Sequence, residues 1–427
     1  MSAVPSSATP SVDDGSVQGI AEIGSTMVIG GTFTSVGGQA RNYLAAFDKV
    51  GGALSVRFNP EPNGQVLDVL PGPTPGTVYA VGRFSRIGGA PASRIALLDA
   101  QTGAQVPGFN GPQINAAINT VARHGNRLII GGIFTTVGGV AHGGLAALDA
   151  TTGALDPATD LHVTENHNTS GSGAIGTVGV KDVDISPDGE HIIVIGNFRK
   201  VNGLDRDQIA MLHASGSSIV VRPDWRTLRY TPLCFSSMFD SYIRGVSFSP
   251  DGSYFVVAAT GSHSLGSRCD AAARFETADR SDQIQPSWVA YSGGDTLWSV
   301  AVTEQAVYVG GHQKFMNNPN GYNYAGQGAV TRAGLAALDP RTGIPLSWNP
   351  GRNPRGAAVY VLLPTADGLW MGSDTEWIGN YQYKRPRLAF FPLATGARLA
   401  PEPGCTCRPP SIAPTPVPAP TASSAWT

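Results

Sequence analysis

Short apolar runs separated by glycine-rich turns recur along most of the chain. The clearest unit, residues 27–38, reads MVIGGTFTSVGG: an apolar strand, a glycine pair, a phenylalanine and a glycine-closed loop. Because repeats of this period with strand content are typical of propellers and arrays, the pattern predicts a repeat fold. Copies of the unit begin 50 to 64 residues apart, at Met27, Val78, Leu128, Ile192, Tyr254, Val307 and Leu369.

Each repeat divides into four strand-like runs. In the second repeat these are residues 65–70, 78–84, 94–99 and 104–109, bounded by Gly, Pro or Asx residues. Four antiparallel strands form one blade of a β-propeller. The prediction is therefore an all-β, seven-bladed β-propeller with four-stranded antiparallel blades over residues 16–403. Ring closure joins blades one and seven directly, or a terminal strand completes the last blade.

Two repeated side chains have a structural interpretation. Aspartates that follow the third strands precede a glycine and are interpreted as turn formers, whose carboxylates accept backbone N–H bonds; they are Asp48, Asp99, Asp149 and Asp339. The repeated phenylalanines are expected to pack between blades; they are Phe33, Phe84, Phe134 and Phe198.

Loop length differs between the two ends of the predicted blades. Connections from first to second strand and from third to fourth strand are short. Because alternate hairpins lie at one end, the remaining connections share the opposite face. We expect binding residues on that face, although drift on a tolerant surface is the alternative. Its long insertions are residues 158–177, 227–242, 261–268, 313–332 and 375–386.

Aromatic residues stand beside amides and charges in these insertions. Such rings form platforms for sugars or for protein partners, whereas the alternative is that they cover open blade ends. The expected ligand-binding residues are Trp225, Tyr322, Tyr324, Asp374, Trp377, Tyr381 and Tyr383.

One pair of residues is a candidate for acid/base chemistry. The position before the repeat phenylalanine is His312 in the sixth blade and Asp374 in the seventh. The two can exchange a proton with a substrate if the ring brings them together; a hydrogen-bonded structural pair is the alternative. The chain has no calcium loop, phosphate-binding glycine loop or GxSxG elbow. No cofactor, no metal and no other catalytic residue is expected.

The cysteines favour an oxidising compartment. Cys234 and Cys269 lie in two insertions of the same predicted face, so we expect a disulfide that restrains both loops. Cys405 and Cys407 follow the last blade; they bridge each other, pair with another chain or stay free. The spacing of these cysteines does not suit a structural zinc site.

Composition excludes several partners. The net charge of the 427 residues is −2 without a basic block, so nucleic acid is not expected. No apolar run reaches the roughly 20 residues of a membrane span. Residues 1–15 are expected to be a flexible segment whose natural leader is not present in this chain. Residues 404–427 are expected to be a Cys-x-Cys and Pro/Ala/Ser/Thr-rich linker or tail, and are interpreted as having led to a downstream domain or to a surface anchor.

The repeat V-Y-x-G-G-x-F-x-x-V-x-G, followed by R-x-x-L-A-A-L-D and T-G, resembles the delta-60 (DUF5122-type) β-propeller repeat of secreted actinobacterial proteins. The resemblance covers residues 16–401, and the fifth repeat departs from it because it lacks the glycine pair and the phenylalanine. It implies an extracellular or cell-surface module and carries over no catalytic residue.

These observations lead to one functional hypothesis and two rivals. The hypothesis is a secreted or cell-surface binding module that recognises a glycan or an extracellular protein through its long-loop face, without catalysis. The first rival is an extracellular hydrolase or lyase that acts on a polysaccharide at the channel mouth, near His312 and Asp374. The second rival is a structural component of a surface assembly.

Overall fold

The computed structural model describes residues 1–394, except 170, 172, 217, 262, 265 and 266. The predicted tail at 404–427 and Cys405 and Cys407 lie outside this part, as does the fourth strand expected near residue 400. The described residues form an all-β structure of antiparallel sheets. Among them, no helix has the length and apolar character needed to cross a membrane.

Seven sheets of longer strands follow one another along the described chain, and within each the strands run in sequence order. The first strand of each sheet is called its inner strand; these are Val17–Ile23, Val66–Pro71, Ile118–His124, Gly179–Ile185, Ile243–Phe248, Leu297–Val302 and Val359–Thr365. The second strands are Thr26–Gly31, Thr77–Gly82, Arg127–Gly132, His191–Asn197, Tyr254–Ala259, Val307–Gly311 and Gly368–Ser373. The third strands are Leu44–Asp48, Ile95–Asp99, Leu145–Asp149, Ile209–Ser215, Ala271–Glu276, Leu335–Leu338 and Leu388–Pro392.

The fourth strand is shorter than the repeats predicted. Strands Ser218–Val221 and Trp288–Tyr291 complete the fourth and fifth sheets. In four other sheets the outer position holds a single bridge, and prolines at or near it in three of these sheets cannot donate a ladder hydrogen bond. These bridges are Phe47–Leu54, Leu98–Gln105, Leu148–Leu155 and Leu338–Pro345.

The sheets are arranged like the blades of a propeller. Each inner strand lies against the inner strand of the next sheet, and the seventh inner strand lies against the first. The second strands are buried on both faces, because a neighbouring sheet covers each side; the burial of every residue from Val78 to Val81 is typical. Phe33, Phe84 and Phe134 are fully or almost fully buried and pack against residues of the preceding sheet, which confirms their predicted place.

The N-terminal segment contacts the last sheet. The backbone N–H groups of Ser2 and Ser6 donate to the carbonyls of Pro392 and Phe390, at 2.8 and 2.7 Å. Trp348 Nε1 donates to the Ser2 carbonyl at 2.8 Å. Part of the segment predicted to be flexible thus lies at the outer edge of the seventh sheet. Among the described residues no strand precedes Val17–Ile23, so both predicted modes of closure stay predictions.

A small hairpin follows the second strand in each of the seven sheets. In the first, Ser35–Val36 pairs with Gln39–Ala40 around Gly37 and Gly38, whose φ angles are 58° and 72°. Two consecutive positive φ angles define a type I′ turn and explain the glycine pair that closes the repeat. The other hairpin strands are Arg86–Ile87 and Ala90–Pro91, Thr136–Val137 and Val140–Ala141, Lys200–Val201 and Leu204–Asp205, His263–Ser264 and Ser267–Arg268, Phe315–Met316 and Val330–Thr331, and Trp377–Ile378 and Tyr383–Lys384. Val163–Thr164 and Arg352–Asn353 add a third short strand to two of them.

Candidate functional site

Every inner strand carries a β-bulge at the same position. In the first sheet Val17 pairs with Gly31 and Gly19 pairs with Gly30, so the residue between Val17 and Gly19 is extra. A bulge redirects a side chain and is frequent next to functional sites. The residues at this position, called the bulge ring, are Gln18, Leu67, Asn119, Lys181, Arg244, Trp298 and Tyr360.

The bulge ring lines one cavity of about 620 Å³, called the central cavity, to which all seven inner strands contribute. The bulges lie at the end of each inner strand that pairs with the last residues of the second strand, from which the small hairpins emerge. The ring therefore lies towards the face that bears the long insertions. A cavity of this size suits a small ligand or a short segment of a polymer.

Three aspartates of the central cavity join neighbouring inner strands. Asp68 accepts the N–H of Val121 at 3.0 Å, and Asp184 accepts the N–H of Phe248 at 2.7 Å. Asp182 accepts the N–H of Val246, also at 3.0 Å. These N–H groups lie on the open edge of an inner strand, where no neighbouring strand accepts their hydrogen bonds. The carboxylates supply the missing acceptors.

Burial dominates the ionisation of these aspartates. It raises the pKa of Asp68 to about 7 and that of Asp184 to about 6, against the lowering effect of their backbone hydrogen bonds. It raises the pKa of Asp182 to about 8, and the charges of Asp184 and Asp68 add to that rise. A perturbed carboxyl in a cavity is a candidate for catalysis, but each of these is already bonded to two backbone N–H groups.

Cationic and aromatic side chains of the bulge ring lie next to each other. The Arg244 guanidinium lies over the Trp298 ring, 5.5 Å from its centroid, and Trp298 meets Tyr360 edge-on at 5.4 Å. Lys181 forms an ion pair with Asp240 at 3.1 Å. Burial and the Arg244 charge lower the pKa of Lys181 to about 8, and burial lowers the pKa of Arg244 to about 10.

The insertions of the fourth and fifth sheets are fastened to each other beside this group. Cys234 and Cys269 form a disulfide with a Cα–Cα distance of 6.3 Å, which confirms the predicted pairing. The Asn168 amide donates to the Phe239 carbonyl at 2.8 Å, and the Tyr242 hydroxyl accepts the N–H of Cys234. Asp240, the partner of Lys181, therefore sits in a loop restrained from several sides.

The predicted ligand-binding residue Trp225 is part of the core, which corrects that prediction. Its exposed fraction is 0%, and its ring packs against Phe255 and Phe275. The chain before the fifth sheet turns inward at this point, and Trp225 pairs with Ser281 in an isolated bridge. A ring enclosed in this way cannot stack on a ligand. Tyr230, in the same loop, is also buried.

The other predicted aromatics lie on the small hairpins or in their loops. Tyr322 and Tyr324 are 49% and 62% exposed in the long loop of the sixth hairpin. In the seventh hairpin the rings of Trp377 and Tyr381 lie 6.3 Å apart, and Tyr381 is 55% exposed. The last predicted aromatic, Tyr383, is partly buried and packs against the core between the sixth and seventh sheets. These side chains are reachable by a ligand, and their predicted binding role stays a prediction.

His312 and Asp374 lie at the junction of the sixth and seventh sheets but have different partners. His312 Nδ1 contacts the Gly356 carbonyl, and its Nε2 lies 3.9 Å from Asp295. The Asp374 carboxylate is bound by the buried Arg352 at 2.9 Å and by the Ala357 N–H at 2.6 Å. Each residue holds the chain near residue 356 through partners of its own, and no hydrogen bond joins the two among the described residues. The predicted pairing is therefore not seen in either form.

One group could supply three ligand atoms to a metal ion. The side chains of Asp188, Glu190 and His191 place ligand atoms within 4.8 Å of one another in a hairpin at the opposite end of the fourth sheet. Asp188 already accepts hydrogen bonds from the Ser186 hydroxyl and the Glu190 N–H. Such bonds are typical of a turn-forming aspartate, and both acidic residues are exposed.

The bulge ring was not predicted, although the spacing of aliphatic residues in the sequence carries a signal for it. Buried aliphatic residues of an unbulged strand recur at every second position. In the inner strands they recur three positions apart, as in Val180 and Val183 or Leu297 and Val300. The extra residue between them is one of those that line the cavity.

Comparison with known proteins gives similarity to solved structures alone. No protein-family model matches the chain, and no curated protein matches it. The crystal structure of the computationally designed Ika8 protein is 12% identical, with a TM-score of 0.47, and the match covers 90% of this chain and 98% of that one. Hydrazine synthase of Kuenenia stuttgartiensis is 14% identical, with a TM-score of 0.41, over 70% of this chain and 75% of that one.

Proposed function

We propose that the chain is a seven-bladed β-propeller of the delta-60 repeat group that binds a glycan at the central cavity, without catalysis. It would act outside the cell or at its surface, in keeping with the Cys234–Cys269 disulfide. The observation that carries the proposal is the bulge ring, through which every inner strand contributes one side chain to the lining of a single cavity.

The composition of the bulge ring favours a sugar. Six of its seven members are polar or aromatic, and Trp298 and Tyr360 lie next to each other on one wall. Aromatic faces pack against the apolar faces of sugar rings, while amides and cations bind hydroxyl groups. A cavity of about 620 Å³ admits a few sugar units but not a folded protein.

The bonding of the candidate catalytic groups supports binding without chemistry. The partly buried aspartates of the cavity accept hydrogen bonds from backbone N–H groups, and His312 and Asp374 hold the chain near Gly356. A general acid or base has to reach the substrate proton that it transfers. Groups already engaged in this way are poorly placed for that role.

The test is glycan binding by the intact protein and by two tryptophan variants. We expect at least one immobilised glycan to be retained, and Trp298→Ala to weaken it about tenfold or more. Trp377→Ala, which removes a ring outside the cavity, is the matched comparison. Loss of binding with Trp377→Ala alone would move the site to the seventh hairpin.

Three other outcomes would reject the proposal. Cleavage of a bound glycan by the intact protein would make it an enzyme. Retention of proteins but of no glycan would favour a protein partner. Binding of neither class would favour the assembly role.

A further inference from the structure

The central cavity offers cationic hydrogen-bond donors to a ligand. Its three aspartates are partly buried and each already accepts two backbone N–H bonds, so their oxygens have fewer free acceptor sites. The cationic residues that line the cavity are Arg83, Lys181 and Arg244, contributed by three different sheets. A ligand that complements such a surface has to bring acceptors, and preferably negative charge.

Arg244, which is partly buried, has donors that the protein does not fully use. Its Nη1 makes two long bonds, to the Ser241 hydroxyl at 3.4 Å and to the Ile243 carbonyl at 3.2 Å. Its Nε is buried, and among the described residues it has no hydrogen-bond partner. Arginine can bind a carboxylate through two parallel N–H bonds, so this guanidinium retains donors for an anion.

Two aromatic rings lie near the Arg244 guanidinium. The ring centroid of Trp298 is 5.5 Å from its central carbon, and that of Phe239 is 5.9 Å away. Such cation–π contacts restrain the group beside the rings and leave its N–H groups for a hydrogen-bonded partner. Phe239 is held in turn by Asn168, whose amide donates to its carbonyl.

Acidic residues near Arg244 offset its charge only in part. Asp240 favours the charged form of Arg244, but its carboxylate lies 3.1 Å from Lys181, to which it is paired. Asp270 also favours the charged form, and it does not line the cavity. The Asp240 carboxylate is thus engaged by Lys181, so an anion at Arg244 would not have to displace it.

We propose that the glycan bound by the central cavity is acidic, with its carboxylate on Arg244, near Lys181, and its sugar ring against Trp298. This inference rests on the proposed function, because it names the chemistry of the ligand at the same site. It places the acidic group beside the restrained 227–242 loop and assigns Arg244 as the residue that selects for charge.

The experiment compares oligogalacturonate with the same oligosaccharide after its carboxyl groups are reduced to alcohols. Dissociation constants are measured by calorimetry at low and at high salt. We expect the acidic form to bind roughly 10- to 100-fold more tightly at low salt. This advantage should shrink at high salt, because screening weakens the charge contribution.

Variants then assign the effect to one side chain. Arg244→Gln should remove most of the preference for the acidic form while binding of the reduced form persists. Arg244→Lys should retain part of the preference, because it keeps the charge but loses the planar fork. Arg57→Gln is the matched control, since Arg57 is exposed and outside the cavity. A melting temperature for each variant separates lost recognition from lost folding.

The outcomes separate this inference from the proposed function. Equal binding of the acidic and reduced forms, with dependence on Trp298, would overturn the acidic ligand and keep the glycan site. If neither form binds and no arrayed glycan is retained, both the acidic ligand and the proposed glycan site are overturned. If a sulfated oligosaccharide binds as tightly as the carboxylate form, the ligand class extends to anionic sugars in general. Arg244-dependent binding of polyglutamate but of no glycan would replace the sugar by an acidic protein.

Discussion

Asp182 accepts the backbone N–H of Val246 at 3.0 Å and so ties the inner strand of the fourth sheet to that of the fifth. Polar side chains make similar links elsewhere around the cavity: Asn119 donates to the Val180 carbonyl and Ser299 donates to the Val359 carbonyl. An unpaired backbone group in a buried place is costly. These polar residues are thus explained by the open inner edges of the sheets.

The Asp182 link predicts a pH-dependent contribution to stability. Burial raises the pKa of Asp182 from 3.8 to about 8, so the folded state favours the protonated form. The stabilisation from such a group is complete below the unfolded pKa and is lost as the pH rises through the folded one. We expect the loss in melting temperature caused by Asp182→Ala to be largest at pH 5 and smaller at pH 9.

The control for this prediction is Asp251→Ala. Hydrogen bonds from Ser249 and Ser253 lower the pKa of Asp251 to about 2, so it is ionised over the whole range. Its effect on the melting temperature should not change between pH 5 and pH 9. An Asp182→Ala loss that grows with pH would mean that the backbone N–H bonds outweigh burial and favour the carboxylate.

The disulfide should stabilise the insertions around the cavity. Cys234 and Cys269 are 35 residues apart, and a loop of that size gives about 2–4 kcal/mol in the chain-entropy description. Cys234→Ser should lower the free energy of unfolding by that amount in denaturant titrations, and should weaken glycan binding because Asp240 and Phe239 lie in the released loop. The doubly substituted Cys234→Ser, Cys269→Ser protein is the control, and a reductant should not destabilise it further. An unfolding curve of Cys234→Ser identical to that of the unsubstituted protein would show that the disulfide does not stabilise the fold.

The N-terminal segment should stabilise the seventh sheet. Removal of residues 1–7 deletes three hydrogen bonds, those of Ser2 and Ser6 to Pro392 and Phe390 and that of Trp348 to Ser2, so a loss of about 2–4 kcal/mol is expected. Trp348→Phe keeps an aromatic ring and removes only the Nε1 bond to Ser2, for a loss of about 1 kcal/mol.

A double-mutant cycle checks that these effects share one cause. In the shortened protein Trp348→Phe should cost less, because its acceptor is already absent. Unfolding free energies of the four proteins in denaturant give the coupling. Strict additivity would show that Trp348 does not act through the segment.

Two aromatic substitutions should separate core from surface. Trp225→Ala is expected to destabilise by about 3–5 kcal/mol, because it leaves a cavity against Phe255 and Phe275. Tyr324→Ala should change stability by less than about 0.5 kcal/mol, since its side chain is 62% exposed. Thermal or chemical unfolding measures both. A small effect of Trp225→Ala would contradict its place in the core.

The sequence was a good guide where the structure is local. Asp99 and Thr102 illustrate this, since the Asp99 carboxylate accepts the Thr102 N–H in the turn that the LDxxTG pattern predicted. Sequence spacing also placed Cys234 and Cys269 on one face, and the disulfide bears this out. It failed for Trp225, because a polar loop does not reveal which of its rings folds inward. It missed the bulge ring, whose sign is the three-residue spacing of buried aliphatic residues along each inner strand.

The sequence by itself determined the first three strands of each sheet, the turns and the repeat, because these depend on the hydrophobic pattern and on turn chemistry over a few residues. Only the tertiary structure decided which side chains meet. Lys181, Arg244 and Trp298 are separated by 63 and 54 residues, and nothing local marks them as neighbours. They share one cavity because each inner strand bulges at the same place and the strands lie side by side. Contacts between separate repeats depend on how the sheets pack, and a pattern within a single repeat does not specify them.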